Sequence, residues 1–345
     1  MSLKGRDYIE TQDWTVEEIN LLLATADDLK ARFHRGEPTL LLPNQTIFLL
    51  FFDKSTRTRN AFEAGATQLG AHAHFLDSSL TQIAHGETAF DTGRILGSMG
   101  HGIAIRHDLI IGEGNRYMRA VAAATEAPVI NLQCDVDHPT QTLADLMTIR
   151  ERFGRDLRGK KLAVSWAYAP SYAKPLSVPQ GLITLMTRLG MDVVLAHPPE
   201  YKLMEQCMAA ARANARTAGV KFEVTDDMDA AFAGADVVYP KSWGAYDLMV
   251  QRRDAKTEVE MGRIERECLA MNARHKGWIC DERRMQLGRR GGLYMHCLPA
   301  DRGSEVTDAV IDGPRSVVFQ QAENRLHTAK AIMATVMRAR PFAQI

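Results

Sequence analysis

Asp53-Lys54-Ser55-Thr56-Arg57-Thr58-Arg59 follows an uninterrupted apolar run, 47–52, and precedes a pattern that puts Ala61, Phe62, Gly65 and Leu69 on one helical face. The run reads as a buried strand and the pattern after it as a helix. Two hydroxyls and two arginines thus stand where a strand hands over to a helix. N–H groups at a helix start point outward unpaired, and the helix dipole favours negative charge there. An arginine can grip two phosphate oxygens at once. A solvated basic first turn is the bland alternative. Basic residues are unfavourable at a helix N-terminus, so two of them require a compensating anion. The stretch reads as an oxyanion site.

The composition fits a globular enzyme. With 345 residues the chain is long for one core and suits two domains, and 46% hydrophobic residues suffice for both. Its formal net charge of +0 sets up no global field to recruit nucleic acid or an anionic membrane. No apolar run approaches the ~20 residues of a membrane span. The first residues, Met1 to Arg6, lack the apolar core of a secretory signal. Cys134, Cys207, Cys268, Cys280 and Cys297 are scattered, with no C-x-x-C pair. That spacing argues against a disulfide or zinc scaffold and for a reducing cytoplasm.

Strand and helix patterns alternate along the chain. Thr15 and Glu18 form a capping box for a helix that stops near Gly36. Strands are expected at 46–52, 71–76, 102–106 and 129–132, then a helix at 139–153. After a polar break at 154–159 the alternation restarts, with strands near 161–167, 192–196, 221–225, 236–240 and 293–297. Helices are expected around 179–189, 203–218, 227–233 and 257–275, and a last one from Ala322. Such alternation predicts an α/β chain of two doubly wound parallel-sheet domains. Their expected bounds are 1–153 and 154–321, with a C-terminal helix 322–340 packing back on the first.

In open parallel sheets ligands bind at the carboxyl ends of strands, and the reactive residues here fall at those ends. Arg106-His107-Asp108 closes one strand, and Cys134-Asp135-Val136-Asp137-His138-Pro139-Thr140-Gln141 follows another. Proline suits a helix start, so His138 precedes a helix and Gln141 lies in its first turn. His138 as a mere cap is the alternative. In the second half, His296-Cys297-Leu298-Pro299 follows the last expected strand, and Glu323-Asn324-Arg325 sits in the last helix. A cysteine before a proline is more often packing than nucleophile. Gly112-Glu113-Gly114 lacks a third glycine, and no G-x-x-x-x-G-K-[ST] loop occurs, so nucleotide-binding fingerprints are absent.

Ser55-Thr56-Arg57-Thr58-Arg59, Arg106, His138-Pro139-Thr140-Gln141, His296-Cys297-Leu298-Pro299 and Glu323-Asn324-Arg325 occur in this order. Together they resemble the aspartate/ornithine carbamoyltransferase family over essentially the whole chain. The resemblance implies a carbamoyl-phosphate domain and an acceptor domain facing across a cleft, in homotrimers that share active sites. It implies that Ser55, Thr56, Arg57 and Thr58 hold the phosphate. Arg106, His138, Gln141 and Thr58 would polarise the carbamoyl group, and Cys297, Leu298 and Arg325 would complete the site. Thr81 to Glu87 matches the loop that reaches a neighbouring subunit, with Gln82 and His85 as its contacts. No metal and no organic cofactor is implied. Donors on the carbonyl oxygen would stabilise the tetrahedral oxyanion and arginines the departing phosphate.

The departures bear on the acceptor. Where ornithine enzymes carry Asp-x-x-x-Ser-Met-Gly, this chain has Asp236-Val237-Val238-Tyr239-Pro240-Lys241-Ser242-Trp243-Gly244, with a lysine and a tryptophan in place of that arrangement. The proline-rich segment Tyr168 to Pro179 resembles the threaded loop of the knotted carbamoyltransferases, most of all the branch without an assigned acceptor. The implied reaction moves a carbamoyl group between phosphate and an amine-bearing small acid such as 2,3-diaminopropionate, in either direction. Ornithine, an N-acylornithine and putrescine are the alternative acceptors, and a catalytically silent anion-binding relative is the alternative of another class. Lys241 and Arg302 are expected at the acceptor's carboxylate, with Ser242, Trp243, Tyr172 and Lys174 around it. For each cation, a solvated surface charge is the competing account.

Overall fold

In the computed structural model, which describes residues 3–108, 110–172 and 174–337, the apolar run becomes strand β1 (Thr46–Phe51). Helix α1 (Val16–His34) precedes it, opened by the expected capping box: Thr15 Oγ1 accepts from the Glu18 amide, and the Glu18 carboxylate accepts from the Thr15 amide. Then follow α2 (Arg57–Gln68), β2 (His72–Asp77), α3 (Ala89–Met99), β3 (Gly102–His107), α4 (Gly114–Ala123), β4 (Val129–Cys134) and α5 (Pro139–Phe153). The strands form one all-parallel sheet in the order β2-β1-β3-β4. β4 is buried along its whole length, as a sheet covered on both faces demands. Tyr8 adds a short parallel bridge to Ile130 of β4, so backbone partners continue past that edge strand.

The second sheet comes from β5 (Lys161–Trp166), β6 (Asp192–Ala196), β7 (Phe222–Thr225), β8 (Val237–Lys241) and β9 (Leu293–Tyr294), in the order β7-β6-β5-β8-β9 and again all parallel. Between them run α6 (Ser177–Arg188), α7 (Glu205–Ala218), α8 (Met228–Phe232), α9 (Tyr246–Asp254), α10 (Glu258–Ala273) and α11 (Glu282–Leu287). After β9 come α12 (Asp308–Ile311) and α13 (Val318–Val336). From Ser177 to Thr187, α6 is buried on every side. The expected strand at 293–297 is shorter than its apolar pattern. Met295 still donates to Val238, but the His296 amide turns to the Gln321 side chain and the ladder ends.

The chain divides into two compact units at Met147/Thr148 and again at Ala322/Glu323. It passes between them inside α5 and inside α13. From Glu323 on, α13 belongs with the first sheet: Gly65 of α2 leaves room for Met333 and Lys330, and Lys330 Nζ donates to the Gln68 side chain. The last helix begins at Val318, ahead of the sequence expectation, and residues 338–340 of the expected helix lie outside the described residues.

Candidate active site

Both sheets reverse their winding at one point, between β1 and β3 in the first and between β5 and β8 in the second. Ligands of open parallel sheets bind in the crevice outside the carboxyl ends at such switch points. The expected site residues concentrate there.

In the first unit, Ser55 and Thr56 lead from β1 into α2, whose first turn holds no acidic residue. Thr56 is the N-cap residue, yet its side chain makes no capping bond. Arg57 is half-buried and Thr58 buried, and the Arg325 guanidinium donates to Thr58 Oγ1 at 2.5 Å. Arg59, the second arginine of the cluster, is spoken for. It pairs with Glu63 one turn on, at 2.8 Å, and lies 3.6 Å over the Phe75 ring.

Arg106 comes from the end of β3, where the pairing with β4 skips Leu132: Ile105 faces Asn131 and Arg106 faces Gln133. A bulge of this kind re-aims the side chains beside it. Arg106 meets Asp108 through two bonds, 3.1 and 2.9 Å, with its side chain 13% exposed. Burial pushes the Asp108 carboxyl up to about 6, against the pull of Arg106 and with a push from Asp53. Gly114 starts α4 so close to β3 that a Cβ would stand 1.8 Å from the His107 carbonyl oxygen.

After β4 the acidic residues are structural and the next ones open to chemistry. Asp135 accepts from the amides of Gly112 and Asn115 at the start of α4, and Asp137 accepts from the amide and hydroxyl of Thr11. His138 and Gln141 are buried at the start of α5. The Gln141 amide nitrogen donates to Asp145 at 2.7 Å, whereas its Oε1 is buried with no partner. Gln82 and His85, by contrast, stand on the exposed turn Gln82–His85, with His85 Nδ1 3.3 Å from Gln82 Oε1.

In the second unit, Tyr172, Lys174, Ser242 and Trp243 line one pocket at the carboxyl ends of β5 and β8. Trp243 is buried and donates to the Tyr201 carbonyl. Lys241, also buried, donates to the Ser242 carbonyl. Glu305, fully buried, ties these loops together. It accepts from the amides of Ser242 and Asp301, and stands 3.5 Å from Lys174 Nζ and 3.4 Å from His296 Nε2. The Leu298 amide donates to His296 Nδ1, which leaves the ring proton on Nε2, facing Glu305. Burial alone would raise the Glu305 carboxyl, but His296, Lys174 and Lys241 hold it well below the usual range. Cys297 is buried, and Leu298 adopts φ 56° ahead of a cis peptide to Pro299.

Arg302 does not line this pocket. It follows no strand, and its exposed guanidinium is held by Asp308 and Asp312 at 2.6–2.7 Å. Lys174 is likewise neutralised, by Asp301 at 2.6 Å. Sequence reasoning passed over Arg252 and Asn272, which join the pocket from α9 and α10. Asn272 pins the loop after β5 by donating to the carbonyls of Ala169 and Ser171. Arg252 lies 5.5 Å over the Tyr172 ring, and its Nε is buried without a partner. Among the described residues it makes no ion pair. The only sequence signal for it is a basic last turn in α9.

Family comparison covers both units. Residues 6–151 match the aspartate/ornithine carbamoyltransferase carbamoyl-P binding domain, and 176–336 the Asp/Orn binding domain of the same family. The chain is 41% identical to the Escherichia coli (strain K12) protein named "Putative carbamoyltransferase YgeW", over 99% of this chain and 92% of that protein. It is 38% identical to N-acetylornithine carbamoyltransferase of Xanthomonas campestris pv. campestris, over 99% and 100%. A solved N-acetyl-L-ornithine transcarbamylase variant, complexed with carbamyl phosphate and N-succinyl-L-norvaline, superposes with a TM-score of 0.83 at 35% identity, covering 96% of this chain and all of that one. No helix among the described residues is long and apolar enough to cross a membrane. The chain belongs to the aspartate/ornithine carbamoyltransferase family and is a carbamoyltransferase.

Proposed function

We propose that the first unit holds carbamoyl phosphate and the second holds an acceptor that is a small carboxylic acid with one reactive amine. The observation that carries the first half is the buried, unpartnered Oε1 of Gln141. An arginine at a helix start calls only for an anion, whereas a dry carbonyl oxygen calls for an N–H donor. Carbamoyl phosphate supplies both. In this reading Ser55, Thr56, Arg57 and Thr58 bind the phosphate. Arg106 and His138 donate to the carbonyl oxygen, Gln141 accepts from the amide, and Arg325 steadies Thr58.

The amine attacks the carbonyl carbon, the C–N bond forms, and charge collects on the oxygen those donors face. The C–O bond to phosphate then breaks, and the departing phosphate takes the proton the nitrogen sheds. The products are a ureido acid and inorganic phosphate. Cys297 and Leu298 are assigned to the acceptor side of the carbamoyl group.

Arg252 supports an acidic acceptor. It is the lining cation that no carboxylate neutralises, and the pocket is lined by no Asp or Glu that would pair with a second ammonium. A diamine such as putrescine, or ornithine with its free α-ammonium, is therefore disfavoured against an acid whose other nitrogen is blocked or absent. Lys241, Ser242, Trp243, Tyr172 and Lys174 shape the same subsite. Exposed apolar side chains on the segment carrying Gln82 and His85, namely Leu80 at 86%, Phe90 at 58% and Met99 at 68%, support a trimer in which that turn serves a neighbour's site. A cytoplasmic location accords with this chemistry.

The test is product analysis by mass spectrometry. Enzyme and carbamoyl phosphate are mixed with N-acetylornithine, N-succinylornithine, 2,3-diaminopropionate, aspartate, ornithine and putrescine. A ureido product from an acidic acceptor, and none from putrescine, is the expected result. Carbamoylation of putrescine alone would overturn the acidic-acceptor reading. Failure to bind carbamoyl phosphate would overturn the first half.

A further inference from the structure

The carbamoyl chemistry makes no use of two imidazoles and a carboxylate that meet in the first unit. His34 is the last residue of α1, while Glu323 and His327 lie one turn apart on α13. His34 Nε2 is 2.9 Å and His327 Nε2 3.2 Å from the same oxygen, Glu323 Oε1. The three donor atoms all lie within 4.8 Å of one another. Tetrahedral zinc, with bonds of ~2.0–2.1 Å to nitrogen and oxygen, needs donors roughly 3.4 Å apart. Small rotations of exposed His34 and of the carboxylate meet that requirement.

We propose that His34, Glu323 and His327 form a binding site for a divalent transition-metal ion, zinc in the first instance, with the fourth position open to water. Imidazole and carboxylate suit zinc and its neighbours and disfavour the all-oxygen cations calcium and magnesium. His327 is the fixed point: its side chain is wholly buried, and the Phe33 ring meets it edge-on at 5.4 Å. Its Nδ1 is buried with no partner, so Nε2 is the nitrogen aimed at the carboxylate. His34, with a side chain 55% exposed, gives the ion its way in.

Two cations oppose the ion. Lys30 donates to Asn324 at 2.7 Å, and Lys330 to the Gln68 side chain at 3.0 Å, 5.2 Å from the Phe33 ring. They weaken any weakly held cation and leave the site to ions that bond covalently to imidazole. Arg325 lies between the two α13 ligands, so a bound ion would fasten the turn that brings Arg325 to Thr58.

The experiment uses the full chain after chelator treatment and dialysis. Zinc chloride is titrated by calorimetry, and cobalt chloride by visible absorbance, into wild type, His34→Ala and His327→Asn. One equivalent of zinc is expected, with the intense cobalt bands of four-coordinate geometry and a rise in Tm. His34 is exposed at a helix end, so His34→Ala keeps the fold. It should lose more than about tenfold in zinc affinity, together with the Tm gain. No zinc uptake by wild type would overturn the proposal, as would an unchanged equivalent in His34→Ala, which would put the ion elsewhere.

Discussion

The two sheets pose the same problem at their switch points and solve it differently. At the first, the groups proposed to grip the ligand are contiguous with a strand end: Ser55 to Thr58 after β1, Arg106 closing β3, His138 and Gln141 after β4. At the second, the pocket is assembled from loops and two helices distant in sequence, and one of its two lining cations is already neutralised within the protein. Lys174 belongs to Asp301 and Glu305, and Lys241 lies against Ser242. A phosphate site must compensate a large charge, and the first turn of α2 carries neither an acidic residue nor a side-chain cap. An acceptor site must discriminate between small molecules, and Arg252 lines the pocket without an ion pair among the described residues. The proposed function thus places catalysis of the common step on the first unit and specificity on the second.

The largest expected effect lies on the catalytic side. Arg57→Ala removes a charge-assisted grip on the phosphate and should lower kcat/KM by about 10²–10³-fold or more. Its far-ultraviolet circular dichroism should stay native. Near-normal turnover would break the division of labour, because the helix start would then not be the phosphate site. On the specificity side, Arg252→Met should raise KM for acidic acceptors roughly 10–100-fold. Carbamoyl-phosphate affinity should be unchanged, and an equal loss of both affinities would mean that Arg252 acts on the whole protein and not on the acceptor.

A pair of buried carboxyls sharpens the comparison on the side of stability. In the first unit Asp137 is raised from 3.8 to about 7, first by burial, against the Thr11 bonds. The folded state binds this proton more tightly than the unfolded one. Its stabilising contribution is complete below about 4 and is lost as pH rises through about 7. In the second unit Glu305 is depressed, so its contribution is present above 4.5 and lost as pH falls below that value. Asp137→Asn should therefore remove about 1–2 kcal/mol of the stability decline between pH 5 and 7. Urea titrations across pH would read it, and an unchanged slope would mean that Asp137 is charged in the folded state at neutral pH.

The same contrast decides what was legible in the sequence. The sheets were readable because buried parallel strands are apolar runs, and the first unit's residues because strand ends are local. Arg59 has a local partner the reading of the cluster did not weigh, Glu63 four residues on, a pairing that helix geometry makes ordinary. Tyr172, Lys174, Ser242 and Trp243, expected around the acceptor, line one pocket, since they too follow strands. Arg252 and Asn272 were not, because nothing local ties α9 and α10 to the loop after β5. His34 and His327 meet across 293 positions of sequence for the same reason.

Arg302 is where the sequence pattern misled, and it carries the smallest expected effect. The apolar residues of 293–297 suggested a strand long enough to deliver a cation at its end, but the His296 amide leaves the sheet for Gln321. The guanidinium ends up among Asp308 and Asp312, in a surface cluster that solvent screens. Arg302→Ala should change kcat/KM for every acceptor by less than about twofold, as exposed pairs of this kind contribute little. Arg302→Ala and Arg252→Met therefore form a matched pair, one arginine with its charge satisfied and one without. If the acceptor's KM rose in the first and held in the second, the carboxylate would sit beyond the pocket, on the α12 side of the loop that follows Pro299.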